Sequence, residues 1–220
     1  MADTPDPRIR VRRAPQRGHY DRATIDAILD AGLVAHVGFV VDDRPVVIPL
    51  AYARDGDRLL FLGSPASGMM RAAPRGEQPV CATVTHLDGL VVARSAFHCS
   101  MNYRSVVVHG MATEVVDLDE RRRALDLITE HLLPGHLATV RSHHDSEVRA
   151  TTVIEVRLDL ASAKIRTGGP VDEPEDVAAG GWAGVMPLEM RSGEPRPDEF
   201  VPAGAGEPPH VRALRTARPG

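Results

Sequence analysis

Apolar and polar positions change period several times along the chain, and each change marks an element. Over residues 21–32 the apolar residues Ile25, Ile28 and Leu29 fall on one helical face, with Asp21 placed to cap and Gly32 to stop. This spacing predicts a short amphipathic helix. Short β-rich runs follow at residues 33–41, 45–52 and 58–62, separated by Asp42-Asp43-Arg44 and by Asp55-Gly56-Asp57, a pattern that predicts a three-strand meander. A loop over residues 63–71 leads towards a short helix ending at residues 74–76. Strands are expected at 80–87 and 90–93, turning at Asp88-Gly89, and at 103–108, continuing through Gly110 to Val116.

A second helix starts at Asp117, which stands with Glu120 at capping-box spacing. Leu118, Leu125, Ile128 and Leu132 form its core stripe, and Glu120, Arg121, Arg122 and Asp126 its solvated face. The helix reads as scaffold, with His131 and His136 near its end as dipole partners or surface residues. In a last strand over residues 151–158, alternation sets Val153 and Ile154 on opposite faces. Strands that follow one another without intervening helices predict a mainly β fold, an antiparallel barrel or sandwich with a few helices outside it.

The ends differ from this middle. Residues 1–17 mix Pro5, Pro7 and Pro15 with Arg8, Arg10, Arg12, Arg13 and Arg17, and read as a surface arm, or as one that contacts an anion. Residues 18–166 form the domain, and residues 167–200 a tail that docks through Trp182, on the same barrel or on that of a second subunit. Residues 201–220 read as flexible, with disorder after about Val211.

Composition narrows the classes of function. The chain has 220 residues, 43% of them apolar, and no run approaching the roughly 18 to 20 apolar residues a membrane helix needs. With 26 basic and 30 acidic residues, a dominant nucleic-acid or anionic-membrane surface is not expected. The N-terminus lacks a basic-then-apolar signal and there are only two cysteines, which reads as cytoplasmic. Small molecules and proteins are the expected partners.

Ten histidines show neither H-x-x-x-H nor cysteine pairing at zinc spacing, so no metal site is expected. Cys81 reads as a small core residue, and Cys99, beside His98, as an inert or reactive thiol. No G-x-S-x-G elbow supports a serine hydrolase. Between a strand and a helix start, Ser64, Ser67, Gly68 and Arg71 offer hydroxyls, backbone N–H groups and a guanidinium to a phosphate, although the same residues make an ordinary turn.

The order DxRPVVIPLAYxxDGDRLLF, the loop GSPASGMMRAAP, the strand CATVT, the block ARSAFHCSMNYRSVVVHG ending at Gly110 and the late GWAGVMPL ending at Leu188 run through about residues 8–200. Together they resemble the pyridoxamine 5'-phosphate oxidase-like, FMN-binding split-barrel superfamily, and within it the nitroimidazole-resistance-like, flavin-nucleotide-binding branch. The resemblance implies a six-stranded antiparallel Greek-key split β-barrel that forms a homodimer, with a flavin in a cleft built from both subunits. It places Val47, Ile48, Pro49 and Leu50 along the flavin ring, Ser64, Ser67 and Arg71 at the phosphate, and polar contacts at Tyr103, Arg104 and Ser105. It also implies that Trp182 reaches the ring from the other chain. Where relatives carry a basic residue or histidine ahead of Arg71, this chain has Gly68-Met69-Met70, which thins the phosphate anchor. The cation-rich substrate site of a true pyridoxamine phosphate oxidase is missing, so vitamin B6 oxidation is not expected.

The expected function is therefore a flavin-dependent oxidoreductase, FMN preferred over FAD, that reduces a small organic acceptor. Its alternative is a non-catalytic flavin or haem binder acting as carrier, scavenger or sensor, supported by the histidine-containing block around His98 and His109.

Overall fold

Six strands of this chain pair into a ring in which every neighbour is antiparallel. A computed structural model describes residues 6–63, 78–202 and 204–214. Around the ring run β2 (Val34–Val41), β3 (Arg44–Asp55), β4 (Arg58–Gly63), β7 (Thr152–Arg157), β6 (Ser100–Glu114) and β5 (Gln78–Val92), which closes on β2. Asp42 and Asp43 turn β2 into β3 with φ of 48° and 58°, the left-handed pair a two-residue hairpin needs. The predicted meander is thus formed, each strand within a few residues of its expected bounds.

The ring splits along β6. Its far end, Thr113–Glu114, pairs with β7, whereas Tyr103–Val108 pairs with β8 (Ala161–Arg166), and β8 in turn carries the edge strand β1 (Gly18–His19). Inside the ring, Val37, Phe39, Tyr52, Leu59, Phe61, Val84, Val106 and Ile154 pack with Ile25, Ile28 and Leu29 of helix α1 (Arg22–Ala31). Asp21 caps α1 by accepting from the Thr24 N–H at 2.8 Å. A second cluster lies outside the ring, where Ala53, Leu60 and Val153 meet Ala124, Leu125 and Ile128 of α2 (Leu118–Leu132) and Val148 of α3 (Asp145–Ala150). Val153 and Ile154 serve different clusters, as their alternation predicts, and both are fully buried.

Three local expectations are corrected. Asp88-Gly89 is not a turn: β5 runs straight through it, with a one-residue slip between the Leu87–Tyr103 and Gly89–Asn102 pairs. Glycine eases the close approach of strand β9 (Gly184–Pro187), which pairs beside it: a Cβ on Gly89 would press against the Met186 carbonyl oxygen at 3.0 Å. Arg121 is not solvated but only 8% exposed, since it shares the stripe of Leu125 and Ile128 at i, i+4 and i+7. Leu118, expected in that stripe, opens the helix and is exposed. Cys81 lies on the outer, half-buried side of β5 between inward-facing Val80 and Ala82, and burial raises its thiol pKa.

Within one chain the tail is held by elements other than Trp182. Its attachment is β9 on Gly89–Val92 of β5, together with Asp172, which accepts from the Arg94 N–H and guanidinium, both at 2.9 Å. Trp182 itself is 69% exposed and lies over Gly184. Between them lies α4 (Pro174–Ala179), and Pro209–Leu214 forms a last helix, α5, across the point where disorder was expected to begin. Among the described residues no helix is long and apolar enough to cross a membrane.

Candidate functional site

The strands that close the ring also present an outer face. Along β2 the interior takes Ala35, Val37 and Phe39, so Val34, His36, Gly38 and Val40 point outward. In register with them stand Val47, Pro49 and Ala51 of β3 on one side, and Cys81 and Thr83 of β5 on the other. Continuing across β6, Cys81 pairs with His109, Thr83 with Val107, Thr85 with Ser105 and Leu87 with Tyr103. The result is a broad floor of small and apolar side chains, with Val40 and Val47 more than half exposed. Gly38 leaves a low place between Val47 and Cys81: a Cβ there would meet only ordinary contacts at 3.6 to 3.9 Å. Such a surface suits a flat, apolar ring.

Among the residues expected at a ligand, the chain's geometry separates two groups. Val47 and Pro49 belong to the outer floor, whereas Ile48 and Leu50 turn inward against the barrel core. Tyr103 and Ser105 lie on the same outer face, but β2 and β5 stand between them and β3, so one chain does not bring the groups together. Ser105 directs its hydroxyl to the Lys164 carbonyl at 3.3 Å. Arg104 is engaged by Asp88, whose carboxylate raises its pKa. Ser64, Ser67 and Arg71, with Gly68, Met69 and Met70, lie outside the described residues.

His98, in the short turn Ala96–His98, bonds Ser95 Oγ through Nδ1 at 2.9 Å, and Phe97 beside it is 91% exposed. Cys99 is exposed, with its sulfur 3.5 Å from the Ser95 carbonyl and the Ala93 N–H. His131 is tied into the fold through Nε2 to the Gly32 carbonyl at 2.6 Å. Among the described residues no cluster of three His, Cys, Asp or Glu side chains forms a metal site.

Sequence reasoning passed over His36 and Gly38, although the even-numbered alternation of β2 places both on the outer face. It also missed Arg166, because the short run Ala161–Arg166 of small and charged residues carries no clear strand signal. Arg166 is 6% exposed and donates to Asn102 Oδ1 and to the Gly168 and Gly169 carbonyls, the latter two at 3.4 and 3.3 Å. Burial and the nearby Arg17 guanidinium lower its pKa.

An antiparallel six-strand ring that opens along one strand, flanked by a few helices, defines a split barrel. Residues 21–165 match the family model described as Pyridoxamine 5'-phosphate oxidase, and the chain belongs to that family. It is similar over nearly its whole length to the flavocytochrome Anf3 from Azotobacter vinelandii, at 37% identity and a TM-score of 0.90, with 97% of this chain and 99% of that chain covered. An FAD and haem binding protein from Mycobacterium smegmatis is 38% identical with a TM-score of 0.86, covering 90% of this chain and 97% of its own. A candidate 5-nitroimidazole antibiotic resistance protein from Bacteroides thetaiotaomicron reaches 25% identity and a TM-score of 0.57, over 67% of this chain and 86% of its own. No curated protein matches the chain.

Proposed function

We propose that this protein is a flavin- and haem-binding redox protein of the flavocytochrome type, with FAD favoured over FMN, that works as a homodimer. The observation that carries the reading is the extent of the likeness. The similarity to a flavocytochrome covers 97% of the chain and that to a protein named for FAD and haem 90%, whereas the likeness to the nitroimidazole-resistance relative covers two thirds of it. The flavin- and haem-binding alternative drawn from the sequence is therefore preferred to an FMN enzyme acting on a small organic acceptor.

The residues present fit such groups. The floor around Gly38 accepts a planar ring against Val47 and Pro49, and His36 and His109 expose imidazoles on the same face. A haem would supply one-electron chemistry at iron, and a flavin would couple it to two-electron transfer. Val47, Pro49 and the low place at Gly38 would cover one side of such a ring and keep water from it. Imidazoles of this face are the side chains available to iron, and the backbone of β3 lies beside the floor for polar contacts. Because β3 and the Tyr103–Ser105 segment stand two strands apart, a second copy completes the cleft in this reading.

Absorption spectra and denaturing extraction of the purified protein test the proposal. Oxidised-flavin absorption and a Soret band, both changing on reduction with dithionite, with FAD in the extract, is the expected result. FMN alone with no haem uptake would restore the FMN oxidoreductase reading. Retention of neither group, with neither taken up on reconstitution, would end the flavoprotein reading.

A further inference from the structure

Among the described residues two arginines are almost equally buried, and of the two only Arg121 pairs with a carboxylate there. Arg121 is 8% exposed and pairs with the Glu114 carboxylate at 2.8 Å. Arg166 is 6% exposed, yet its partners are a side-chain amide and two backbone carbonyls, all neutral. Buried charges are ordinarily paired, because desolvation without a counter-ion is costly. Here the neighbouring charge is of the same sign: Arg17 closes the turn Pro15–Arg17 packed against β8, and it lowers the Arg166 pKa, as burial does.

More cations gather at this edge. Lys164 shares the outer side of β8 with Arg166, and the β1–β8 register sets Gly18, next to Arg17, opposite Lys164. Arg10, Arg12 and Arg13 of the arm are exposed. Among the described residues none of these six side chains pairs with a carboxylate, whereas Arg22, Arg54, Arg58, Arg94, Arg104 and Arg123 all do. The unpaired set borders the outer floor directly, since Tyr103 lies opposite Arg166 and Ser105 opposite Lys164. From those two residues the floor continues through Leu87 and Thr85 of β5.

We infer that Arg166, Arg17 and Lys164 form the anchor for the acidic groups, carboxylate or phosphate, of a planar cofactor at the Leu87–Tyr103 end of the outer floor, away from Gly38, an inference that rests on the flavin and haem reading above. Haem propionates, at the porphyrin edge, and the pyrophosphate of FAD, at the end of its ribityl chain, share this chemistry: two close negative charges on a molecule that carries a flat ring. A guanidinium held by neutral acceptors keeps its full charge for such a group and is already oriented by Asn102 and the Gly168-Gly169 backbone. Tyr103 stands beside it as a phenolic donor. The competing account is that Arg166 only pins the Gly168-Gly169 turn, and then the charges of Arg17 and Lys164 have no bearing on ligands.

The experiment compares full-length wild type with Arg166→Lys, Arg166→Gln and the double variant Arg17→Gln/Lys164→Gln in titrations with four probes: hemin, hemin dimethyl ester, FAD and riboflavin. Loss of a charge-assisted contact weakens binding by roughly ten- to hundred-fold. The expected result is that loss for one acidic probe in Arg166→Gln and in the double variant, with its neutral analogue unchanged and with recovery in Arg166→Lys. Selective loss for hemin identifies propionates, and selective loss for FAD identifies the pyrophosphate. Should Arg166→Gln fail to fold, the double variant decides alone, because both of its side chains are partly exposed. If wild type binds FAD or hemin and the double variant binds both as tightly, the anchor is overturned and the cofactor reading stands. If wild type binds none of the four, both are overturned.

Discussion

Asp88 and Arg104 meet across the β5–β6 hairpin where its register slips, the guanidinium donating to both carboxylate oxygens at distances between 2.8 and 3.2 Å. The pair occupies the bulge that turns Gly89 towards β9, and the Asp88 carbonyl also accepts from the Leu188 N–H at 3.1 Å. Arg104 therefore supports the tail through Asp88. Arg104→Ala is expected to cost about 0.5–2 kcal/mol, the range for a part-buried bidentate pair. Its specific signature is faster amide hydrogen exchange at Val185 and Met186, with β2 and β3 unaffected. Unchanged exchange in β9 would show that the tail docks independently of the bulge.

Arg121 tests the buried face of α2. Its Nε donates to the Val115 carbonyl at 2.9 Å and its terminal nitrogen to Glu114 at 2.8 Å. Arg121→Ala strips both acceptors and opens a gap beside Leu125, and is expected to destabilise the fold by about 2–4 kcal/mol in urea unfolding. Glu114→Gln keeps a hydrogen-bond acceptor and is expected to cost about half as much. Arg122→Ala, nearer solvent and paired with exposed Asp145, is expected to cost less than about 1 kcal/mol.

The contrast between these neighbouring arginines shows where the sequence was legible and where it was not. Alternation and turn residues are local, so the β2–β3–β4 meander, both main helices and the opposed facing of Val153 and Ile154 could be read from the chain. Arg121 could not, because a charged residue on a core stripe is explained only by Glu114 and Val115 brought from another element. Asp88-Gly89 looks like a turn until β9 arrives from nearly a hundred residues away. The outer floor was half legible: Val47 and Pro49 were named from resemblance, but His36, Gly38 and Arg166 become neighbours of that strand or of Tyr103 only through strand order.

Acid sensitivity follows from a carboxylate–guanidinium group between the β3–β4 turn and α2. Glu120 accepts from Arg123 at 3.0 and 3.1 Å and also from Arg58, and these bonds hold its carboxyl down to about 2 from an ordinary 4.5. Asp55 is lowered as well, first by Arg123 and then by Arg58. A carboxylate whose pKa is depressed on folding contributes fully above its unfolded value and loses that contribution as pH falls through its folded value. The urea midpoint is expected to hold steady above about pH 5 and then fall towards pH 2, less steeply in Glu120→Gln than in wild type. Equal slopes in the two proteins would place the acid response in other carboxylates.

Gly32 joins α1 to β2 with its Cα tucked against the barrel. A Cβ there would lie 2.5 Å from the Tyr52 hydroxyl and 2.6 Å from Val84 Cγ1. Tyr52 is fully buried and donates to the Leu29 carbonyl, so neither neighbour has room to yield. Gly32→Ala is expected to lose about 1–3 kcal/mol by overpacking, and Tyr52→Phe about 1 kcal/mol for its hydrogen bond. Since removal of the hydroxyl relieves one of the two clashes, the double variant is expected to lose less than the sum of the singles. Strict additivity in thermal or urea unfolding would show that Val84 alone limits the site.

Gly38 offers the sharpest separation of fold from function. It pairs with Val47 on one side and Cys81 on the other, and the contacts a Cβ would make, 3.6 to 3.9 Å, are ordinary. Its backbone is not in the left-handed region, so a larger residue is compatible with the strand, and a leucine there satisfies β geometry better than glycine. Gly38→Leu is therefore expected to leave stability within about 0.5 kcal/mol of wild type. The new side chain would nevertheless stand up from the lowest part of the outer floor. If a flavin or haem ring lies there, overpacking of about 1–3 kcal/mol translates into roughly five- to hundred-fold weaker binding. Spectral titration with FAD and with hemin, alongside thermal melting, reads both quantities in the same preparations. A variant that melts like wild type and binds both groups like wild type would place the cofactors away from β2 and β3.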